Sequence, residues 1–410
     1  MSDSGVGGLL ANRRYALYLA SRVSLIVATQ MLSVAVGWQV YEITGKALAL
    51  GFSGLALFLP GFLLALPGGH LADLRDRRGI LLVCHLGVVT CASALAAIAY
   101  HGSKGLVPIY AILALLGAIR AFSGPAGQAL MPNLVSRTGL ERAVALGSST
   151  WQLAMIAGPS LGGAIYAATG KASVVYVTCA VLAFSAFLCV LGIGTVPTVE
   201  GPVRPRAPTT WRTLLAGIEY VRTNKPILGS ISLDLFAVLL GGAVALLPIF
   251  ARDILQIGPW GLGILRSAPA IGAATVALML AYSPLRRPAG LVMFGCVMLF
   301  GIATIVFGLS RNFAVSLTSL LVLGAADMFS VVVRSTLIQV RTPDEMRGRV
   351  SAVNMVFIGA SNELGEFESG LTAAWWGPEA SVVIGGIGTC IVVVLWALMF
   401  PELRKVDRIS

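Results

Sequence analysis

Charge is what this chain has least of. Only 11% of its 410 residues are Asp, Glu, Lys or Arg, against about 25% in an ordinary water-soluble domain. A chain so poor in charge, and 57% hydrophobic, cannot dress a globule for water. Its three histidines are scattered and suggest no metal site. The six cysteines, Cys84, Cys91, Cys179, Cys189, Cys296 and Cys390, all lie in apolar runs, and none forms a Cys-x-x-Cys pair. They read as small buried hydrophobes rather than metal ligands or disulfides. No Gly-x-x-x-x-Gly-Lys-Ser/Thr phosphate loop occurs, and no soluble segment is long enough to hold a nucleotide. No catalytic constellation stands out, so no enzyme activity and no cofactor are expected. The N-terminal stretch carries Arg13, Arg14 and Arg22 and no small-residue cleavage site after its apolar run, unlike a cleaved signal peptide.

What the chain has instead is apolar runs along its whole length, each long enough to cross a bilayer. We expect an all-α membrane protein with twelve transmembrane helices, at 16–41, 47–71, 79–101, 105–124, 143–168, 172–195, 226–251, 260–283, 288–310, 313–337, 349–373 and 377–400. Residues 196–225 separate them, with Pro197, Pro202, Pro205 and Pro208 among basic residues. This divides the chain into a six-helix bundle over 1–195, a cytoplasmic linker over 196–225 and a second six-helix bundle over 226–410. Within the linker, Trp211 to Thr223 has the makings of a helix lying on the membrane surface. The net charge of +11 does not imply a nucleic-acid partner, because it is sorted by side. Lys46, Lys104, Lys171, Arg252 and Arg311 fall in one set of loops, and Arg22, Arg120, Arg266 and Arg334 in spans. The remaining twenty of the 29 basic residues share the opposite face or the termini. That bias places both termini in the cytoplasm.

The two halves repeat. Shifting the second back by 207 positions lays Leu323-Gly324-Ala325 on Leu116-Gly117-Ala118, Phe329-Ser330 on Phe122-Ser123, Arg349 on Arg142, Gly365 on Gly158 and Gly370 on Gly163. Parallel six-span repeats are the plan of the major facilitator transporters, and the motifs resemble that family too. Gly69-His-Leu-Ala-Asp73-Leu-Arg75-Asp76-Arg77-Arg78 is similar to its cytoplasmic-loop signature, with Gly69, Asp73, Arg77 and Arg78 in place; Leu74 and Asp76 depart from it. Two readings stand side by side. A glycine for close helix approach and an acid among basic partners form a cytoplasmic latch, to which Arg349 also belongs, or the arginines simply hold the loop inside.

Arg120-x-x-x-Gly124 resembles a second signature of the family, whose arginine is implicated in proton coupling. Gly158-Pro159-Ser160-Leu161-Gly162-Gly163 resembles the element of its proton-coupled exporters; glycine lets helices pack and proline bends a span. The run from Pro343 to Gly370 is similar to the enterobactin-exporter group, as is Leu247-Pro248-Ile249-Phe250-Ala251-Arg252-Asp253. The resemblance implies a major facilitator fold of two pseudo-symmetric bundles and proton-driven export of a siderophore or similar amphipathic small molecule. Multidrug or macrolide efflux and nutrient uptake stay open as alternatives. The implied partners are the small molecule, protons and the lipid bilayer; a monomer in a bacterial cytoplasmic membrane is expected.

Charges inside spans are the candidate machinery, since each costs about 2.5–3.5 kcal/mol at mid-membrane. Asp234, Asp327, Arg334 and Arg120 lie in spans, and Glu363, Glu366 and Glu368 crowd the eleventh. Arg120 and Asp327 occupy matching repeat positions, so the pseudo-twofold predicts that they face one another from opposite halves, as a proton switch or as a static pair. Arg334 lies seven residues beyond Asp327 on the same helical face, about 10 Å along. Arg22 is a candidate contact for an anionic substrate, or it snorkels to the interface. Arg266 and Asp253 are expected toward an outer gate. In the eleventh span, Glu363 and Glu366 share a face with Gly359 and Gly370, predicted to pack closely together with Gly365. Glu368 shares the other with Asn354, Ser361 and Thr372, predicted to face water or substrate.

Overall fold

The computed structural model describes residues 6–195, 211–282 and 289–405. Those residues are helical almost throughout, as a bilayer demands of backbone with no water to satisfy it. The chain forms two compact units, Met1–Gln39 with Ala56–Pro208, and Val40–Leu55 with Thr209–Ser410.

The first unit draws on a short α1 (Val6–Ala11) and then α2 (Arg13–Thr44), α3 (Ala47–Leu63), α4 (Ala65–Leu74), α5 (Arg77–Tyr100), α6 (Leu106–Leu130), α7 (Leu140–Thr169) and α8 (Ala172–Gly192). The last turn of α2 and the start of α3, within residues 40–55, cluster with the second unit. Gly170, at φ 65°, ends α7 in the left-handed region and lets α8 follow two residues later. Asp76, a departure from the loop signature, caps α5 by accepting from the backbone N–H groups of Arg78 and Gly79 at 3.1 and 3.0 Å. A core of Tyr15, Tyr18, Leu81, Leu130 and Val190 closes one end of this unit.

The second unit contains α9 (Trp211–Thr223), α10 (Lys225–Leu240), a single turn α11 (Leu247–Ile249), α12 (Gly258–Tyr282), α13 (Ala289–Leu309), α14 (Phe313–Arg341), α15 (Asp344–Trp376), α16 (Pro378–Met399) and a last turn α17 (Pro401–Arg404). α10 stops at Gly241-Gly242, and the span continues through α11 into a π-turn at Phe250–Ile254. The expected seventh span is therefore a broken one. Its core holds Leu233, Met293, Phe294, Val297, Val333 and Leu337.

Among the described residues, nine helices are long and apolar enough to cross a membrane. The pair α3 and α4, bent by 49°, makes ten. The expected spans at 143–168 and 349–373 are present as α7 and α15, helices of 30 and 33 residues whose polar content keeps them out of that count. Exposed Val83, Leu278 and Leu398 are what lipid-facing surfaces require. Exposed Tyr100, Tyr282 and Trp376 stand at helix ends, where a membrane interface collects aromatics.

The glycines at the 207-residue offset do equivalent work inside their own units. A Cβ on Gly117 of α6 would run into the carbonyl of Leu57 on α3, and one on Gly324 of α14 into that of Pro269 on α12. On α7, a Cβ on Gly158 would fall 3.2 Å from the carbonyl of Val27, and on Gly162 2.9 Å from Cα of Met31, both on α2. A Cβ on Gly365 of α15, the counterpart of Gly158, would lie 2.9 Å from the carbonyls of Val238 and Leu239 on α10. Backbone touches backbone in both units, which any side chain would prevent.

Candidate functional site

The strongest concentration of buried charge lies in the second unit. Asp234 on α10 and Arg334 on α14 form a direct ion pair, with 5% and 1% of their residue surfaces exposed. Asp327, two turns before Arg334 on α14, interacts electrostatically with both. Asp234, Asp327 and Ser330 line a small cavity closed by Val297 and Phe300 of α13. Its ≈ 10 Å³ admits about one water. Ser330 Oγ and Arg334 Nε are buried with no hydrogen-bond partner. Within its own unit, the charged groups that act on Asp327 are Asp234 and Arg334. Arg120 is an exposed side chain of α6.

The second concentration is along α15. Phe367 and Gly370 abut Gly51, and the side chain of Glu366 lies against Gly54, whose Cβ would stand 3.0 Å from Glu366 Oε2. Phe52 and Phe367 add a ring contact at 5.6 Å. The face of α15 with Glu366 and Gly370 is thus closely packed on residues 40–55. Gly359 is not part of that seam, since a Cβ there would meet nothing within 4 Å. On the opposite face, Asn354 Oδ1 is buried with no hydrogen-bond partner. Asn354 and Ser361 are buried, Ser361 bonds back to the carbonyl of Ile358, and Thr372 shares a 2.7 Å hydrogen bond with Ser381 of α16. Small polar side chains here serve helix packing. Glu363 and Glu368 are half-buried, and Ser369 Oγ lies 3.5 Å from Glu368 Oε2.

A third cluster joins Tyr41 to the π-turn. Its hydroxyl donates to Asp253, Arg252 donates to its backbone carbonyl at 3.3 Å, and the guanidinium sits 5.4 Å from its ring. Sequence reasoning singled out Asp253 but not Tyr41, because nothing in the spacing connects positions 212 residues apart.

In the first unit the loop arginines cap helices. Arg78 donates to the carbonyls of Val190 and Leu191 at the end of α8, at 3.1 and 2.9 Å, and Arg77 to that of Ala129 near the end of α6 at 3.4 Å. Gly69 does not make the expected close approach. Open space surrounds it, and Gly68 instead presses on the carbonyl of Ala121. The side chain of Asp73 lies outside the described residues, as do residues 196–210 of the linker. Arg349 is half-buried, and its carbonyl packs on Gly217 of α9. Pro159 and Gly163 are buried within α7. Arg22 is half-buried, donating to the Tyr18 hydroxyl at 3.4 Å. Among the described residues no group of three His, Cys, Asp or Glu could hold a metal ion.

Comparison with known proteins agrees with this architecture. The family model described as transmembrane secretion effector matches residues 10–410. The enterobactin exporter EntS of Shigella boydii serotype 18 is 29% identical over 398 residues, 95% of this chain and 92% of its own. EntS of Escherichia coli O1:K1 is 28% identical over the same shares. A solved POT family transporter in complex with 5-aminolevulinic acid superposes with a TM-score of 0.77 at 11% identity, covering 98% of each chain. A bacterial homologue of the iron transporter ferroportin, in an inward-facing state, gives 0.73 at 15% identity over 96% of this chain and 99% of its own. At such identities the structural likeness concerns the fold.

Proposed function

Since the chain belongs to the transmembrane secretion effector family, a major facilitator transporter of the bacterial inner membrane, we propose that it exports a siderophore or similar amphipathic small molecule in exchange for protons. The likeness to enterobactin exporters over 95% of the chain supports the direction and the substrate class. The observation that carries the coupling is the buried cluster of Asp234, Asp327 and Arg334. Two acids and one base in a low-dielectric site respond strongly to a single added proton. One proton crossing about 100 mV provides ~2.3 kcal/mol, enough for a roughly fifty-fold substrate gradient. Alternating access would take the two bundles around a central substrate, with both termini in the cytoplasm.

Everted membrane vesicles containing the full chain test this reading. Siderophores should accumulate inside on energisation, and an uncoupler should abolish the accumulation. Uptake of macrolides or dyes with no siderophore transport would instead favour multidrug efflux. Accumulation indifferent to the uncoupler would refute proton coupling.

A further inference from the structure

In the second unit, α13 and α16 touch through small residues. A Cβ on Gly301 of α13 would lie 2.7 Å from Cys390 Sγ and 3.0 Å from the carbonyl of Gly386, and one on Gly386 of α16 would lie 2.8 Å from the carbonyl of Gly301. Backbones this close leave the longer side chains beside the contact standing as walls. Met298 and Ile305, seven residues apart on α13, form one wall, and Ile387, Ile391, Val394 and Leu395 of α16 the other. The trough between them has a volume of ≈ 320 Å³, and its lining is aliphatic apart from the sulfur atoms of Met298 and Cys390. It follows α16 for about 12 Å, most of the ~15 Å depth of one hydrocarbon leaflet. Ile391 and Val394 are exposed, and both helices are long and apolar enough to span a bilayer, so hydrocarbon is what this face meets.

At one end of the same two helices the chain turns basic. α17 folds across the start of α13: a Cβ on Gly290 would strike the carbonyl of Leu403 and lie 3.3 Å from Cα of Arg404. Phe400 holds the turn, its ring against Gly229 of α10. Arg404 and Lys405 are exposed. Glu402, the acid of this turn, lies 4.0 Å from Lys225, so three bases against one acid give the corner a charge of +2. From Gly290 to Met298 is about 12 Å along α13, enough to cross a headgroup layer roughly 5–8 Å thick and enter hydrocarbon. Bases at the mouth of an apolar slot between spans suit an anionic lipid headgroup. We propose that the α13–α16 trough and the Arg404–Lys405 corner form a site for one anionic phospholipid, with an acyl chain in the trough and the phosphate at the two bases. A second protein chain is the poorer occupant, because a stable interface needs a broad face of about 1,200 Å² or more. Asp234, Asp327 and Arg334 do not line the trough, so lipid binding here is independent of what the chain exports.

Native mass spectrometry of the purified full-length protein, released from mild detergent, counts the lipids it holds. The probes are dioleoylphosphatidylglycerol and, for comparison, the zwitterionic dioleoylphosphatidylcholine. One phosphatidylglycerol should bind well ahead of a statistical ladder. Arg404→Gln together with Lys405→Gln should weaken it roughly thirty-fold, at about five-fold per base, and leave phosphatidylcholine unaffected. Val394→Trp and Ile391→Trp, each filling the trough, should weaken both lipids. Leu278→Trp, at an exposed position of α12, should weaken neither. Unaltered elution on gel filtration verifies the variants, and each trough tryptophan serves where the other does not fold. Equal affinity for the two lipids overturns the proposal, as does phosphatidylglycerol binding that the glutamine pair or a folded trough tryptophan leaves unchanged. A ladder with no preferred first lipid means annular lipid only and overturns it too. The vesicle experiment on export neither supplies nor removes this result.

Discussion

Gly370 of α15 and Gly51 of α3 meet backbone to backbone: a Cβ on Gly370 would lie 2.8 Å from Cα of Gly51. One turn away, Gly54 receives the side chain of Glu366. This seam explains why an acid-bearing span also carries glycines. Gly370→Ala should therefore destabilise by about 1–3 kcal/mol, the usual cost of overpacking where backbone cannot yield. Gly54→Ala meets a flexible carboxylate and should cost less. Gly359→Ala, with open space around it, should be neutral or stabilising by up to about 1 kcal/mol, from helix propensity alone. Thermal unfolding of the three variants in detergent checks the order.

Tyr41 fastens the segment 40–55 to the π-turn in three ways, through its hydroxyl, its carbonyl and its ring. Tyr41→Phe removes only the hydroxyl bond to Asp253 and keeps the ring under Arg252. It should cost about 1.5–3 kcal/mol, as a hydrogen bond to a charged group does, whereas Tyr41→Ala loses the ring contact as well and should cost more. If Phe and Ala cost the same, measured by thermal unfolding, the guanidinium–ring contact contributes nothing.

Arg78 donates to two carbonyls in the last turn of α8, Val190 and Leu191, which otherwise hold only the long backbone bonds of 3.3 and 3.4 Å from Ile193 and Gly194. Arg78→Ala should lose about 1–3 kcal/mol of stability. Arg77→Ala gives up one longer bond to Ala129 and should lose less. Lysine at 78 can reach one carbonyl but not fork to two, so it should rescue partly. A reversed order in thermal unfolding, with position 77 the more sensitive, would contradict the capping role.

These contacts show which part of the molecule was legible in the sequence. Spans are readable because a bilayer imposes a length and a polarity on each, and the offset glycines because the same backbone contact recurs in each bundle. The partner of a buried charge is not readable that way. Asp234 and Arg334 sit in different spans, share no motif and are not related by the repeat, so only packing reveals the pair. Motif alignment also cannot resolve a single helical step. Gly68 and Gly69 are neighbours, yet about 100° of rotation puts one against Ala121 and the other in open space. Along α15, too, spacing does not reveal that the hydroxyl of Ser361 bonds to the backbone and that of Thr372 to Ser381 of α16.

The cluster of two acids and one base predicts an asymmetry in stability. Removing one partner of a buried ion pair usually costs about 3–5 kcal/mol, because the other is left charged and unpaired. Asp234→Asn should escape most of that cost, since Asp327 interacts with the same guanidinium and can take it over. Arg334→Gln has no such substitute; it leaves two carboxylates facing one cavity and should incur the full cost. Adding Asp327→Asn to Arg334→Gln should then restore stability, whereas adding it to Asp234→Asn should destabilise further by stranding the arginine. A double-mutant cycle on thermal unfolding measures both couplings. Opposite signs are expected for the two, and equal signs would mean that Asp327 does not share Arg334 with Asp234.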